Sequence, residues 1–204
     1  MLKHSSESQD IIFDSKERVL NVASKLFSEF GFLGVSMGDI ARELNVSKAA
    51  LYYHFNSKKE LYLQVLDRSF NMLIKTINRE VANAKSSNEI IVRLIQGYLS
   101  FGSKEKNLTR SLLLKTPDMD SEIMNHIVTL RKKINCQFQN FFKMAFKKDF
   151  TAKIDLKFIS SSLLGIMDRL ISETVLSNKK LNIKRKAFQI MQIIKPALKV
   201  ETNK

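Results

Sequence analysis

A chain of 204 residues, 44% of them hydrophobic, is long enough to bury one large core or two modest ones. Six glycines, two prolines and no Gly/Ser-rich tract exclude flexible linkers and point to long helices throughout, an all-α chain. A lone cysteine, Cys136, excludes an intrachain disulfide, and apolar runs are too short for a transmembrane helix, so no membrane partner is expected. The polar opening MLKHSSESQD does not read as a secretory signal, and a cytoplasmic protein is expected. A net charge of +14 invites a nucleic-acid reading, but its distribution weakens that argument. Residues 1–60 hold eight Lys/Arg and eight Asp/Glu, so the whole excess lies beyond them. It gathers in clusters such as Arg131-Lys132-Lys133, Lys147-Lys148, Lys179-Lys180 and Lys184-Arg185-Lys186, which a solvated surface explains most simply.

The first element follows a tail, 1–13, expected to be flexible. Asp14 with Glu17 resembles a capping box opening a helix over about 15–30. Ser36 with Asp39 repeats the device, and Ile40, Ala41 and Leu44 supply the apolar stripe of a second, short helix. Asn45-Val46 breaks it, and Ser47 caps a third helix running through Phe55. Two short helices joined by a tight turn form a helix-turn-helix, whose second helix enters the DNA major groove. Its side chains suit that role. Ala49 and Ala50 allow close approach to base edges, while Lys48, Tyr52, Tyr53 and His54 bring a cation, two hydroxyls and an imidazole onto about two turns. Leu51 and Phe55, four apart, anchor the same helix to its core. The plainer alternative is a helical hairpin with core tyrosines.

Beyond the head the helical period continues. Ser57 with Glu60 opens a long helix over about 58–84, with Leu61, Val65, Leu66, Met72, Leu73, Ile77 and Val81 at helical spacing. Ser86 with Glu89 opens another, carrying Ile90, Ile91, Leu94, Ile95, Tyr98 and Leu99, and Gly102 is expected to end it. A shorter helix with Leu108, Leu112 and Leu113 stops before Pro117. Asp118 or Asp120 then caps a long helix with Ile123, Ile127, Leu130, Ile134, Phe138, Phe141, Phe142 and Ala145. Two last helices span about 154–177 and 184–200, with Pro196 expected to kink or end the second.

Residues 16–66 resemble the DNA-binding domain of the TetR (tetracycline repressor) family of bacterial regulators. The resemblance rests on Phe30-Gly31-Phe32, Ser36, Ile40-Ala41, Val46-Ser47-Lys48, Leu51-Tyr52-Tyr53-His54-Phe55 and Lys58-Lys59-Glu60-Leu61, in that order. It implies a three-helix reading head over 14–60 and a helical effector and dimerisation domain over 61–204, about nine helices in all. Ser36, Lys48, Ala49, Ala50, Tyr52, Tyr53, His54 and Lys58 become the candidate DNA contacts. Lys48, Tyr52, His54 and Lys58 would touch mainly the backbone, with Ala49, Ala50 and Tyr53 nearer the bases.

The resemblance further implies a homodimer on an inverted-repeat operator, with the last two helices of each protomer packing as a four-helix bundle. Ser161, Ser162, Gly165, Met191 and Ile194 are the candidate interface, unless these helices simply complete the protomer's own core. It also implies an effector pocket within roughly 65–175, for which Tyr98, His126, Phe138, Phe142, Asp168 and Arg169 are candidates. Ordinary core packing for the phenylalanines and a surface ion pair for Asp168-Arg169 are the competing readings. Few acids line these helices, so the expected effector is small, mainly apolar, and neutral or anionic. No metal or cofactor is expected, because there is no Gly-rich phosphate loop, no His-Glu-x-x-His and no Cys/His ligand spacing. The leading expectation is a ligand-released repressor, associated with the nucleoid when bound to DNA. A DNA-binding dimer without a small-molecule ligand and, further off, a helical enzyme remain alternatives.

Overall fold

The computed structural model describes residues 4–105, 120–146, 155–177 and 180–196, with backbone alone for 4–15. Eight helices and no strand occur among the described residues: α1 His4–Phe30, α2 Met37–Leu44, α3 Lys48–His54, α4 Lys58–Ala82, α5 Ser87–Lys104, α6 Ser121–Phe146, α7 Leu156–Ser177 and α8 Ile183–Ile194. The chain divides into two compact units between Ser69 and Phe70, inside α4 rather than at its start. The helix expected around Leu108–Leu113 lies outside the described residues.

In the first unit the expected helix start near residue 15 is corrected. The helix begins at His4, so Asp14 lies inside it and does not cap it. Neither Gly nor Pro occurs before Gly31, so no residue forces a break in the tail. Gly31 ends α1 with φ at 75°, a left-handed turn that suits glycine, and its N–H donates to the Phe27 carbonyl at 2.9 Å. The second helix starts as expected: the Asp39 N–H donates to the Ser36 hydroxyl, and the Ser36 N–H donates back to the Asp39 carboxylate at 2.9 Å. Asn45, also left-handed at φ 56°, closes α2, and Ser47 caps α3 by accepting the Ala50 N–H. At α4 the Ser57 hydroxyl accepts the Glu60 N–H at 3.0 Å, but the Glu60 carboxylate takes the Asn56 N–H at 2.8 Å, one residue earlier than a capping box.

These ends aim one apolar face of each helix inward. Val19, Ala23 and Phe27 of α1 are buried with Ile40, Ala41, Leu51, Phe55, Leu61, Tyr62 and Leu66. Tyr62 sits edge-on to Phe27 at 5.0 Å between ring centroids and 4.9 Å from Phe32. Each such pair adds about 0.5–1.5 kcal/mol beyond its area burial. The result is a small core that holds α3 through Leu51 and Phe55, leaving Tyr52 and Tyr53 to solvent.

In the second unit α5 packs against α6, α7 and α8. Ser86 caps α5 and Asp120 caps α6, the latter by accepting the Glu122 N–H at 2.9 Å. Gly102 does not end α5, which continues to Lys104. Its role is one of space, because a Cβ there would collide with Ile171 of α7. Gly97 does the same for α4, where a Cβ would lie 3.2 Å from the Ile77 Cα. The last helix stops at Ile194, short of the expected 200, and Pro196 follows with no N–H to continue it. No helix among the described residues is long and apolar enough to cross a membrane.

Candidate nucleic-acid interface

The outward face of the head is α3. Lys48, Ala49, Ala50, Tyr52 and Tyr53 are exposed, with Tyr53 at 77% and Tyr52 at 51%, while Leu51 between them is buried. Large aromatic side chains left this far in solvent have no role in their own core. His54 is half-buried and meets Tyr53 edge-on at 5.1 Å. Ser36 is exposed, but its hydroxyl is engaged: it donates to the Asp39 carboxylate at 2.6 Å while accepting the Asp39 N–H. Those bonds, with Arg42 nearby, hold the Asp39 carboxyl below the usual carboxylate range. Ser36 therefore anchors the start of α2 before it offers anything to a phosphate.

Lys58, expected at the DNA backbone, is engaged within the head itself. Its ammonium turns toward the protein, donating to the Phe32 carbonyl at 2.9 Å and lying 4.3 Å from the centre of the Phe32 ring. The cause is position. As the first residue of α4 it faces the turn between α1 and α2, where the Phe32 carbonyl and ring both attract a cation.

The expected effector residues fall into two sets. Tyr98, Phe138, Phe142 and Asp168 are buried in the second unit. Tyr98 donates its hydroxyl to Asp168 at 2.5 Å and meets Phe138 edge-on at 5.6 Å. The other Asp168 oxygen accepts from Arg131 of α6, a residue that sequence reasoning assigned to a solvated basic cluster. Its only signal was helical register, because Arg131 lies four residues after Ile127 and three before Ile134 on the inward side. Arg169, by contrast, is exposed and pairs with Glu173 at 2.9 Å, so the two residues ion-pair elsewhere rather than as the alternative to a pocket role had it. Adjacent residues on a helix point about 100° apart, and here Asp168 lies on the buried side with Met167 while Arg169 turns to solvent. His126 is half-buried on α6.

Burial, then the Asp168 charge and the hydrogen bond to it, push the Tyr98 hydroxyl well above its ordinary 10.0. Burial works against the Arg131 charge, but Asp168 more than offsets this and raises the guanidinium further above its ordinary range. For Tyr98 the linkage has one sign. Above pH 10.0 the unfolded chain releases a proton that the folded chain retains, so stability that is intact below that pH declines as pH rises. Denaturant titrations at stepped alkaline pH should show this decline in the parent chain, and Tyr98→Phe should flatten it. An equal decline in both would dissociate Tyr98 from the effect.

Two family models divide the chain. Residues 19–65 match bacterial regulatory proteins of the tetR family, and residues 66–197 match the C-terminal region of YsiA-like proteins. The chain belongs to the TetR family. This TetR-family protein is thus a DNA-binding transcriptional regulator. It is similar to the biofilm operon icaADBC negative transcriptional regulator IcaR of Staphylococcus aureus strain Newman, at 31% identity over 153 residues, 72% of this chain and 81% of that one. In fold it resembles FadR of Bacillus halodurans, with a TM-score of 0.77 and 15% identity over 93% of this chain and 97% of that one. It also resembles FadR of Bacillus subtilis, solved with stearoyl-CoA, with a TM-score of 0.76 and 13% identity over 92% of this chain and 99% of that one.

The TetR-family protein has a second outward face, on its last two helices. Phe158, Ser162, Gly165, Arg169 and Leu176 of α7 are exposed at alternating spacings of four and three, with one turn between Arg169 and Leu176 filled by the half-buried Ser172. On α8, Phe188 and Ile193 are exposed at 63% and 64%. Ser161 is exposed beside the α7 stripe. Met191 and Ile194, expected at an interface, are instead buried in the protomer at 8% and 7% exposure. They share the inward side of α8 with Ala187 and Ile190.

Proposed function

We propose that the protein is a homodimeric repressor, acting in the cytoplasm and on the nucleoid, that grips an inverted-repeat operator and releases it on binding a small, mainly apolar effector. The observation that carries this reading is the α3 face, where a cation and two exposed tyrosines stand over a helix anchored by Leu51 and Phe55. Lys48 and the Tyr52 hydroxyl suit phosphates, while Ala49, Ala50 and Tyr53 would lie nearer base edges. Paired α3 helices would need a separation near one helical turn of DNA, about 34–36 Å. The exposed stripe of Phe158, Ser162, Gly165 and Leu176, with Phe188 and Ile193, supports pairing through α7 and α8. Large apolar side chains left exposed on two neighbouring helices suit burial against a second protomer, with Arg169 the charged break in the α7 row.

The effector would enter the second unit near Tyr98, Phe138 and Asp168. Arg131 already neutralises Asp168, which removes the argument for a cation and favours a neutral or anionic lipid-like or aromatic compound. Such a ligand represses or releases only by its differential affinity for the two states of the dimer. The test is binding to a duplex selected by the protein from a random-sequence pool, followed at several salt concentrations. Binding should weaken steeply with salt, and Tyr52→Phe should weaken it by about 0.5–1.5 kcal/mol, one hydrogen bond, with the fold intact. Salt-independent binding, or none, would sink the DNA role of this face. Thermal-shift screening with cationic, neutral and anionic hydrophobic compounds tests the effector. Stabilisation by cations alone, abolished in Asp168→Asn, would reverse the charge assignment.

A further inference from the structure

Gly38 occupies the first turn of α2, directly beneath the first residue of α3. A Cβ placed on it would lie 2.8 Å from the Lys48 Cε, 3.2 Å from its Nζ and 3.4 Å from the Ser36 hydroxyl oxygen. The Lys48 side chain is therefore laid back across α2, with its ammonium beside the start of that helix, in space that exists only because residue 38 has no side chain. The carboxylate on this turn, Asp39, is occupied by the Ser36 N–H and hydroxyl and by Arg42 at 3.2 Å.

We infer that Gly38 is a positioning residue for DNA binding, acting through Lys48. The inference rests on Lys48 being a DNA contact, as proposed above. A free lysine loses most of its rotamer freedom when it is ordered on a phosphate. One already docked along a helix has lost part of that freedom in the unbound protein and presents its charge at a set place. A methyl group at position 38 is incompatible with this pose. What it meets is the far end of a flexible side chain, so Lys48 swings away while the backbone stays. Glycine within a helix is also less stable than alanine there. The substitution therefore separates function from stability, since the two should move in opposite directions.

The experiment compares the parent chain, Gly38→Ala, Lys48→Ala and the double variant, using the duplex selected from a random pool. Gly38→Ala should keep or raise the melting temperature and weaken binding about three- to tenfold. Lys48→Ala should reduce the slope of log affinity against log salt by about one unit. Adding Gly38→Ala to Lys48→Ala should change nothing more. If Gly38→Ala binds like the parent while Lys48→Ala is impaired, the positioning role is overturned and the DNA contact stands. An equal loss from Gly38→Ala in both backgrounds would mean that the methyl acts without Lys48, which also overturns it. Should Lys48→Ala leave affinity and slope untouched, the DNA contact fails and the inference falls with it.

Discussion

Gly165→Glu should yield a folded monomer that has lost tight operator binding. Apart from its chain neighbours and its own helix backbone, nothing lies within 4 Å of a Cβ at this position, so the subunit itself has room for the new side chain. Replacing glycine within a helix also favours the helix by up to about 1 kcal/mol. Between two protomers the balance reverses. The cation one turn on, Arg169, is already paired with Glu173, so a carboxylate enclosed here adds uncompensated charge at a cost of several kcal/mol, and a loss of about 2.7 kcal/mol already weakens a dimer roughly 100-fold. Two-fold symmetry presents the charge from both chains. Sedimentation velocity at micromolar protein should show a monomer with unchanged helical content, and Phe188→Glu should repeat the result from α8. A Gly165→Glu protein that remains dimeric with parental operator affinity would move the interface off this stripe.

Asp168→Ala should be among the most destabilising single changes in the second unit. Asp168 accepts from Tyr98 of α5 and from Arg131 of α6 while standing on α7, so its removal leaves a buried hydroxyl and a partly buried guanidinium without their acceptor. Breaking a buried ion pair from one side costs about 3–5 kcal/mol. The Arg131 side chain retains 37% exposure, so water compensates in part and the low end, about 3 kcal/mol, applies. In a chain of this size that lowers the melting temperature by roughly 6–12 °C. The diagnostic is the pair with Arg131→Met: in the double variant no charge is stranded, and much of the lost stability should return. Additive losses by urea denaturation would show that the two residues do not act as a unit.

What the sequence determined by itself was local. Capping pairs such as Ser36 with Asp39 satisfy backbone donors within three residues, so the start of α2 was legible without knowing what packs against it. The same holds for Ser47 at α3 and Ser86 at α5. The exposed character of Tyr52 and Tyr53 followed from register once Leu51 and Phe55 were assigned inward. Where local signals misled, a distant partner had decided the outcome. Gly102 reads as a helix end, yet it serves Ile171, which lies sixty-nine residues away in sequence. Arg131 reads as one of three surface cations, until the fold brings Asp168 to it. Lys58 and Met191 likewise turn inward because Phe32 and the core of the second unit stand where their side chains point. A helix's period assigns residues to faces, but only packing decides which face is buried and which charge meets its partner, because burial and ion pairing are long-range in sequence and short-range in space.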